Sequence, residues 1–104
     1  MNIYTIYADC DGDPHVFVTN MREFLNSLPT LHAYRITRCK LGFRSMDLPE
    51  FRIDMEFRTM QDLDDAMTHV VQNVDEIESK HVAFNSMVKD NIQHFLYRDW
   101  PDEV

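Results

Sequence analysis

Residues 50–58 read Glu-Phe-Arg-Ile-Asp-Met-Glu-Phe-Arg, and this strict alternation restricts the fold more than any other stretch. Phe51, Ile53, Met55 and Phe57 alternate with Arg52, Asp54, Glu56 and Arg58. Successive side chains of a strand point to opposite faces, so the pattern predicts a strand with one apolar and one charged face. A helix would distribute the same four apolar residues around its axis. The apolar face demands a covering layer of helices. The charged face must meet water, a second subunit or a ligand.

A chain of 104 residues suits a single domain, 1–104, with one core. Two Gly and four Pro argue against disorder or a long linker. Seven Met and seven Phe suit irregular cores and permissive pockets alike, core filling being the simpler use. The net charge of −8 repels phosphate backbones, so nucleic acid is not an expected partner. No apolar run is long enough to span a bilayer, so no membrane partner is expected. No basic region precedes an apolar stretch at the N-terminus, so no signal peptide is expected and a cytoplasmic location is. Cys10 and Cys39 lack metal-ligand spacing and read as free thiols of a reducing compartment.

Asn2 to Asp9 holds Ile3, Tyr4, Thr5, Ile6 and Tyr7, the β-branched and aromatic residues of a strand. In one phase Ile3, Thr5 and Tyr7 share the face of Arg52, Asp54 and Glu56, and Tyr4, Ile6 and Ala8 pack under helices. The opposite phase fits nearly as well. Asp13 and Pro14 suit the cap and first position of a helix over about Pro14 to Leu28, ended by Pro29. Phe17, Met21, Phe24, Leu25 and Leu28 form its apolar stripe. Leu31 to Arg44 predicts a second strand that carries Arg35, Arg38, Lys40 and Arg44, and Ser45 to Pro49 connects it to the charged strand as a hairpin. Thr59 with Asp62 resembles a capping box, and Met60, Leu63, Met67, Val70, Val71 and Val74 predict a buried stripe. One helix to Val88 would run about 45 Å, too long for this domain, so a break is expected near Asn73 to Asp75. Asp90-Asn91 predicts a turn, Ile92 to Arg98 the last strand, and Trp100-Pro101 with the acidic tip a short tail.

The order is then strand, helix, strand, strand, broken helix, strand. This βαββαβ order defines a ferredoxin-like α+β domain with a four-stranded antiparallel sheet, helices on one face and the other face bare. The pattern resembles the dimeric α+β barrel superfamily, which includes small antibiotic-biosynthesis-type monooxygenases, EthD-like proteins and stress-responsive barrel proteins. The resemblance covers the whole chain and rests on element order, length and the long second strand. It implies a dimer in which two sheets face each other around a cavity. It carries over no catalytic residue, and fold does not fix function.

Asp9, Asp11 and Asp13 alternate like the start of a calcium loop, but Pro14 stands where that loop needs Gly and Asn20 where it needs a bidentate Glu. No metal is expected. His15, His32, His69, His81 and His94 show no zinc-site spacing. His94 shares a strand face with Ile92 and Leu96, which reads as a packed histidine and also as the best general-base candidate. Asp54 and Glu56 can act as an acid–base pair, but Arg52 and Arg58 beside them read more simply as an ion-pair ladder. Arg35, Thr37 and Cys39 are candidate neighbours on the second strand.

The leading expectation is a homodimer that binds a small apolar or amphiphilic molecule in a cavity on the bare face. Tyr7, Arg35, Arg52, Asp54, Glu56 and His94 are its candidate ligand-binding residues, and no cofactor is expected. Two rivals stand beside it. One is a cofactor-independent oxygenase or isomerase on the same site, with Asp54, Glu56 or His94 moving protons. The other is a regulatory or interaction domain whose sheet face makes the dimer and holds no ligand.

Overall fold

A computed structural model describes residues 1–40, 43 and 48–101. Its elements are β1 (Asn2–Cys10), α1 (Pro14–Ser27), β2 (Ala33–Arg38), β3 (Phe51–Phe57), α2 (Met60–Val71), a 3-10 turn (Val74–Glu76), α3 (Ile77–Asn85) and β4 (Val88–Arg98). The four strands form one antiparallel sheet in the order β2-β3-β1-β4, the ferredoxin-like arrangement. The expected far end of the second strand, including Arg44, most of the Ser45 to Pro49 connection and the acidic tip lie outside the described residues.

Local chemistry sets the helix starts. The Asp13 carboxylate accepts from the His15 amide at 2.9 Å, and Pro14 opens α1. The Thr59 hydroxyl accepts from the Asp62 amide at 3.0 Å and caps α2. The expected break is present. Asn73 and Asp75 take left-handed backbone (φ 51° and 55°), which their short polar side chains tolerate better than most. The Asn73 side chain accepts from the Glu78 amide at 2.9 Å and so starts α3 in a new direction.

The core lies between the helices and one sheet face. Phe51, Ile53, Met55 and Phe57 are all at most 3% exposed. Phe17, Met21, Phe24, Leu25 and Leu28 of the α1 stripe are buried against them, with Phe17 and Phe51 ring centroids 5.2 Å apart. Leu63, Ala66, Ile77 and Phe84 complete the core. His81 packs on Phe24, centroids 5.2 Å apart.

Three expectations need correction. Met60, Val71 and Val74 are exposed, and Ala66 takes the buried place. The left-handed turn at Asn73 ends the α2 stripe before Val74, and Val71 at its last residue points away. Asp90 and Asn91 do not turn the chain. β4 runs from Val88 because an irregularity between Ala8 and Asp9 shifts the register and lets pairing continue to Cys10. Leu28 is a cap, one residue outside α1.

The molecule is a slab, 38 × 38 × 18 Å. A helix with its side chains is about 10–12 Å across, so the short axis holds one helix layer on one sheet. Among the described residues the other sheet face is therefore bare. Among the described residues no helix is long and apolar enough to cross a membrane.

Candidate functional site

Strand register fixes what the bare face presents. Along β3, Arg52, Asp54 and Glu56 point away from the helices. Directly across on β1 stand Tyr7, Thr5 and Ile3, and beyond them on β4 stand Gln93, Phe95 and Tyr97. On the other flank, β2 supplies Thr37, Arg35 and Ala33. The four strands thus make three rows: Ala33–Glu56–Ile3–Tyr97, Arg35–Asp54–Thr5–Phe95, and Thr37–Arg52–Tyr7–Gln93. Charge gathers on β2 and β3, and aromatic and apolar surface on β1 and β4. The phase left open for β1 is thereby settled: Ile3, Thr5 and Tyr7 face outward, and Tyr4, Ile6 and Ala8 face the helices.

Asp54 anchors the charged half. Its carboxylate accepts from the Thr5 hydroxyl at 2.6 Å and from Arg52 Nε at 3.1–3.2 Å. The Arg52 guanidinium also lies over the Tyr7 ring, 5.7 Å from its centroid. Desolvation works against the Arg52 charge, but the hydrogen bond and the charge of Asp54 more than offset it and hold the group above its ordinary value. Arg52 stays cationic throughout. On the aromatic half, Tyr7 meets Phe95 edge-on at 5.8 Å and Phe95 stacks on Tyr97 at 6.1 Å.

Between the halves lies a concave depression of about 350 Å³, lined by Ile3, Arg35, Arg52, Asp54, Glu56 and Tyr97. Four of the six sequence candidates, Arg35, Arg52, Asp54 and Glu56, meet there. Tyr7 sits on the same face beside them, under Arg52. His94 does not join them. It pairs with Ile6 in the ladder, so it faces the helix side with Tyr4, whose hydroxyl meets His94 Nδ1 at 2.5 Å. Burial raises the Tyr4 phenol above its ordinary value. Sequence reasoning missed Phe95 and Tyr97, although parity along β4 pairs them with Thr5 and Ile3 once the phase of β1 is known.

The other candidate groups have structural roles. Asp13 caps α1, and Asp9 accepts from the Glu50 amide at 2.8 Å. Among the described residues no group of three or more His, Cys, Asp or Glu is placed to hold a metal. Cys39 lies just past β2. Burial, reinforced by the Glu50 charge, pushes the Cys10 thiol up, away from the thiolate a nucleophile needs.

The sheet order and the single helix layer define a ferredoxin-like α+β fold, and in fold the chain is similar to structures of an EthD-family protein, a dabb-family protein and an antibiotic biosynthesis monooxygenase. The chain belongs to a family of unknown function, DUF6614, whose model matches residues 1–104. No curated protein matches it in sequence. The structure of At3g17210 from Arabidopsis thaliana is similar over 100% of both chains, at 8% identity and a TM-score of 0.74. SnoaB, a cofactor-independent oxygenase from Streptomyces nogalater, is similar over 97% of each chain at 12% identity and a TM-score of 0.67. A dimeric ferredoxin-like protein of unknown function from Thermobifida fusca is similar over 93% of this chain and 90% of its own, at 13% identity and a TM-score of 0.63. At these identities the likeness is one of fold.

Proposed function

We propose that the open sheet face closes against a second copy of the chain and encloses a cavity for a small, partly apolar organic molecule. The observation that carries this reading is the two-sided depression. An anchored Arg52–Asp54–Thr5 network and an Arg35 that has no side-chain partner among the described residues stand opposite a wall of Ile3, Phe95 and Tyr97. Phe95 and Tyr97 are 40% and 46% exposed within the chain, which is a hydrophobic cost that a covering subunit removes. A dry interface would not favour a row of charges at its centre, because interface cores are depleted in charge. A wet cavity accommodates both halves. Two structures of the same fold are described as dimeric, which supports the two-fold assembly. In this reading Arg35 and Arg52 take the polar or anionic end of the ligand, and the aromatic wall takes its body. Two unpaired cysteines suit a reducing, cytoplasmic setting.

Glu56 favours a second reading, a cofactor-independent oxygenase or isomerase on the same site. It is half-buried in the depression and, among the described residues, its carboxylate has no hydrogen-bond or ion-pair partner, so that group is available to accept a proton. SnoaB is described as a cofactor-independent oxygenase. Loss of turnover in Glu56→Gln with binding retained selects this reading.

The test combines assembly and occupancy. Light scattering at micromolar concentration should give twice the 12.4 kDa chain mass. Native mass spectrometry of gently purified dimer should show added small-molecule mass. The dye 1-anilinonaphthalene-8-sulfonate, an apolar body with an anionic end, should bind with a fluorescence rise that Arg35→Ala weakens and His94→Ala leaves unchanged. A monomer, or a dimer with neither added mass nor dye binding, overturns the proposal, and the latter selects the interaction-domain reading.

A further inference from the structure

The charged half of the open face divides into a closed set and an open set. Thr5 and Arg52 both donate to the Asp54 carboxylate. Arg35 lies directly opposite Asp54 in the ladder, yet Asp54 bonds Arg52 from its own strand instead. Glu56 has Ala33 and Ile3 as its cross-strand neighbours, and neither side chain can donate a hydrogen bond. One guanidinium and one half-buried carboxylate therefore line the same depression without a hydrogen bond or ion pair among the described residues. They are diagonal neighbours across β2 and β3, on the order of 7–8 Å apart at the backbone, a span that long side chains can bridge, yet among the described residues no ion pair joins them. The apolar surfaces of Ile3 and Tyr97 adjoin both.

We infer that this depression recognises an apolar amino acid in its zwitterionic form: Arg35 binds the carboxylate, Glu56 binds the ammonium, and Ile3 and Tyr97 hold the side chain. The inference rests on the proposed reading of the open face as a ligand site and narrows it. A simple anion would satisfy Arg35 and be repelled by Glu56. A simple amine would do the reverse. A zwitterion meets both, as charge-assisted hydrogen bonds that gain strength where water is partly excluded. A full positive charge also compensates a half-buried carboxylate between Ile3 and Ala33 better than a hydroxyl does. The chain's charge of −8 repels monoanions at long range, whereas a ligand of zero net charge is not repelled.

Calorimetric titration of the wild-type dimer with L-phenylalanine, 3-phenylpropionate and 2-phenylethylamine separates the contributions. L-Phenylalanine should bind more tightly than either analogue by roughly tenfold or more, the scale of one hydrogen bond to a charged group. Arg35→Ala should weaken L-phenylalanine and 3-phenylpropionate and, by removing a like charge, tighten 2-phenylethylamine. Glu56→Gln should weaken L-phenylalanine and 2-phenylethylamine and tighten 3-phenylpropionate for the same reason. Equal binding of all three overturns the inference. So does absence of binding while the anilinonaphthalene dye still binds, a result that leaves the cavity reading intact. Failure of the dye as well overturns both. If either substitution splits the dimer in light scattering, the two groups pair across the two-fold axis and the inference falls.

Discussion

Thr5 donates its hydroxyl to Asp54 at 2.6 Å from a strand position with no solvent exposure, on the face that has no helices over it. β3 and β4 enclose it on both sides with the larger groups of Asp54 and Phe95. A half-buried carboxylate is thereby held by one neutral and one cationic donor.

Thr5→Val keeps the β-branched shape and removes the donor. The expected loss is about 1.5–3 kcal/mol, the range for a hydrogen bond to a charged group, read from urea denaturation. A double-mutant cycle with Asp54→Ala should show coupling between the two sites. Strictly additive losses would mean that the hydroxyl does nothing for the carboxylate.

Phe57→Ala and Phe51→Ala empty core positions beneath the helices and should each cost about 3–5 kcal/mol. Arg58 is exposed and donates to His32 at 3.2 Å, so Arg58→Ala should cost about 0.5 kcal/mol or less. Comparable losses from Phe57 and Arg58 in the same denaturation assay would reverse the phase of β3.

Burial first, and the Glu50 charge second, raise the Cys10 thiol above its ordinary value of 9.0. A raised folded value means that the folded state holds its proton more tightly. The associated stability is fully present below the unfolded value and is lost as pH climbs through the folded one. In a Cys39→Ser background at pH 8, a thiol-specific disulfide reagent should react more slowly with folded protein than with urea-unfolded chain. The gap should narrow as pH rises above 9.0, and Glu50→Gln should narrow it further. Equal rates at pH 8 would contradict the raised value.

The strand at Phe51–Phe57, the α1 stripe and the break at Asn73 were legible because each rests on local chemistry: period, cap and left-handed tolerance. The phase of β1 was not, because Ile3, Tyr4, Ile6 and Tyr7 place bulky groups on both faces and no period favours either. Pairing with β3 decides it. The same decision moves His94 off the candidate site and brings Phe95 and Tyr97 onto it. His94, Ile92 and Leu96 do share a face, but it is the face of Tyr4 and Ile6. The early start of β4 was hidden because Asp90-Asn91 has turn chemistry while the partner strand supplies pairing. Val71 and Val74 fit the helical period and are still exposed, since period alone does not say where the covering layer stops.

The 18 Å short axis has a thermodynamic consequence. One sheet and one helix layer use up that thickness, so the described residues of a single chain leave no interior in which to seal a molecule. On the proposed reading the closed chamber is built from two chains. Its occupant would then strengthen the walls that hold it, and the dimer dissociation constant would fall with ligand concentration by mass action. Diluting the protein would empty the chamber at a fixed ligand concentration.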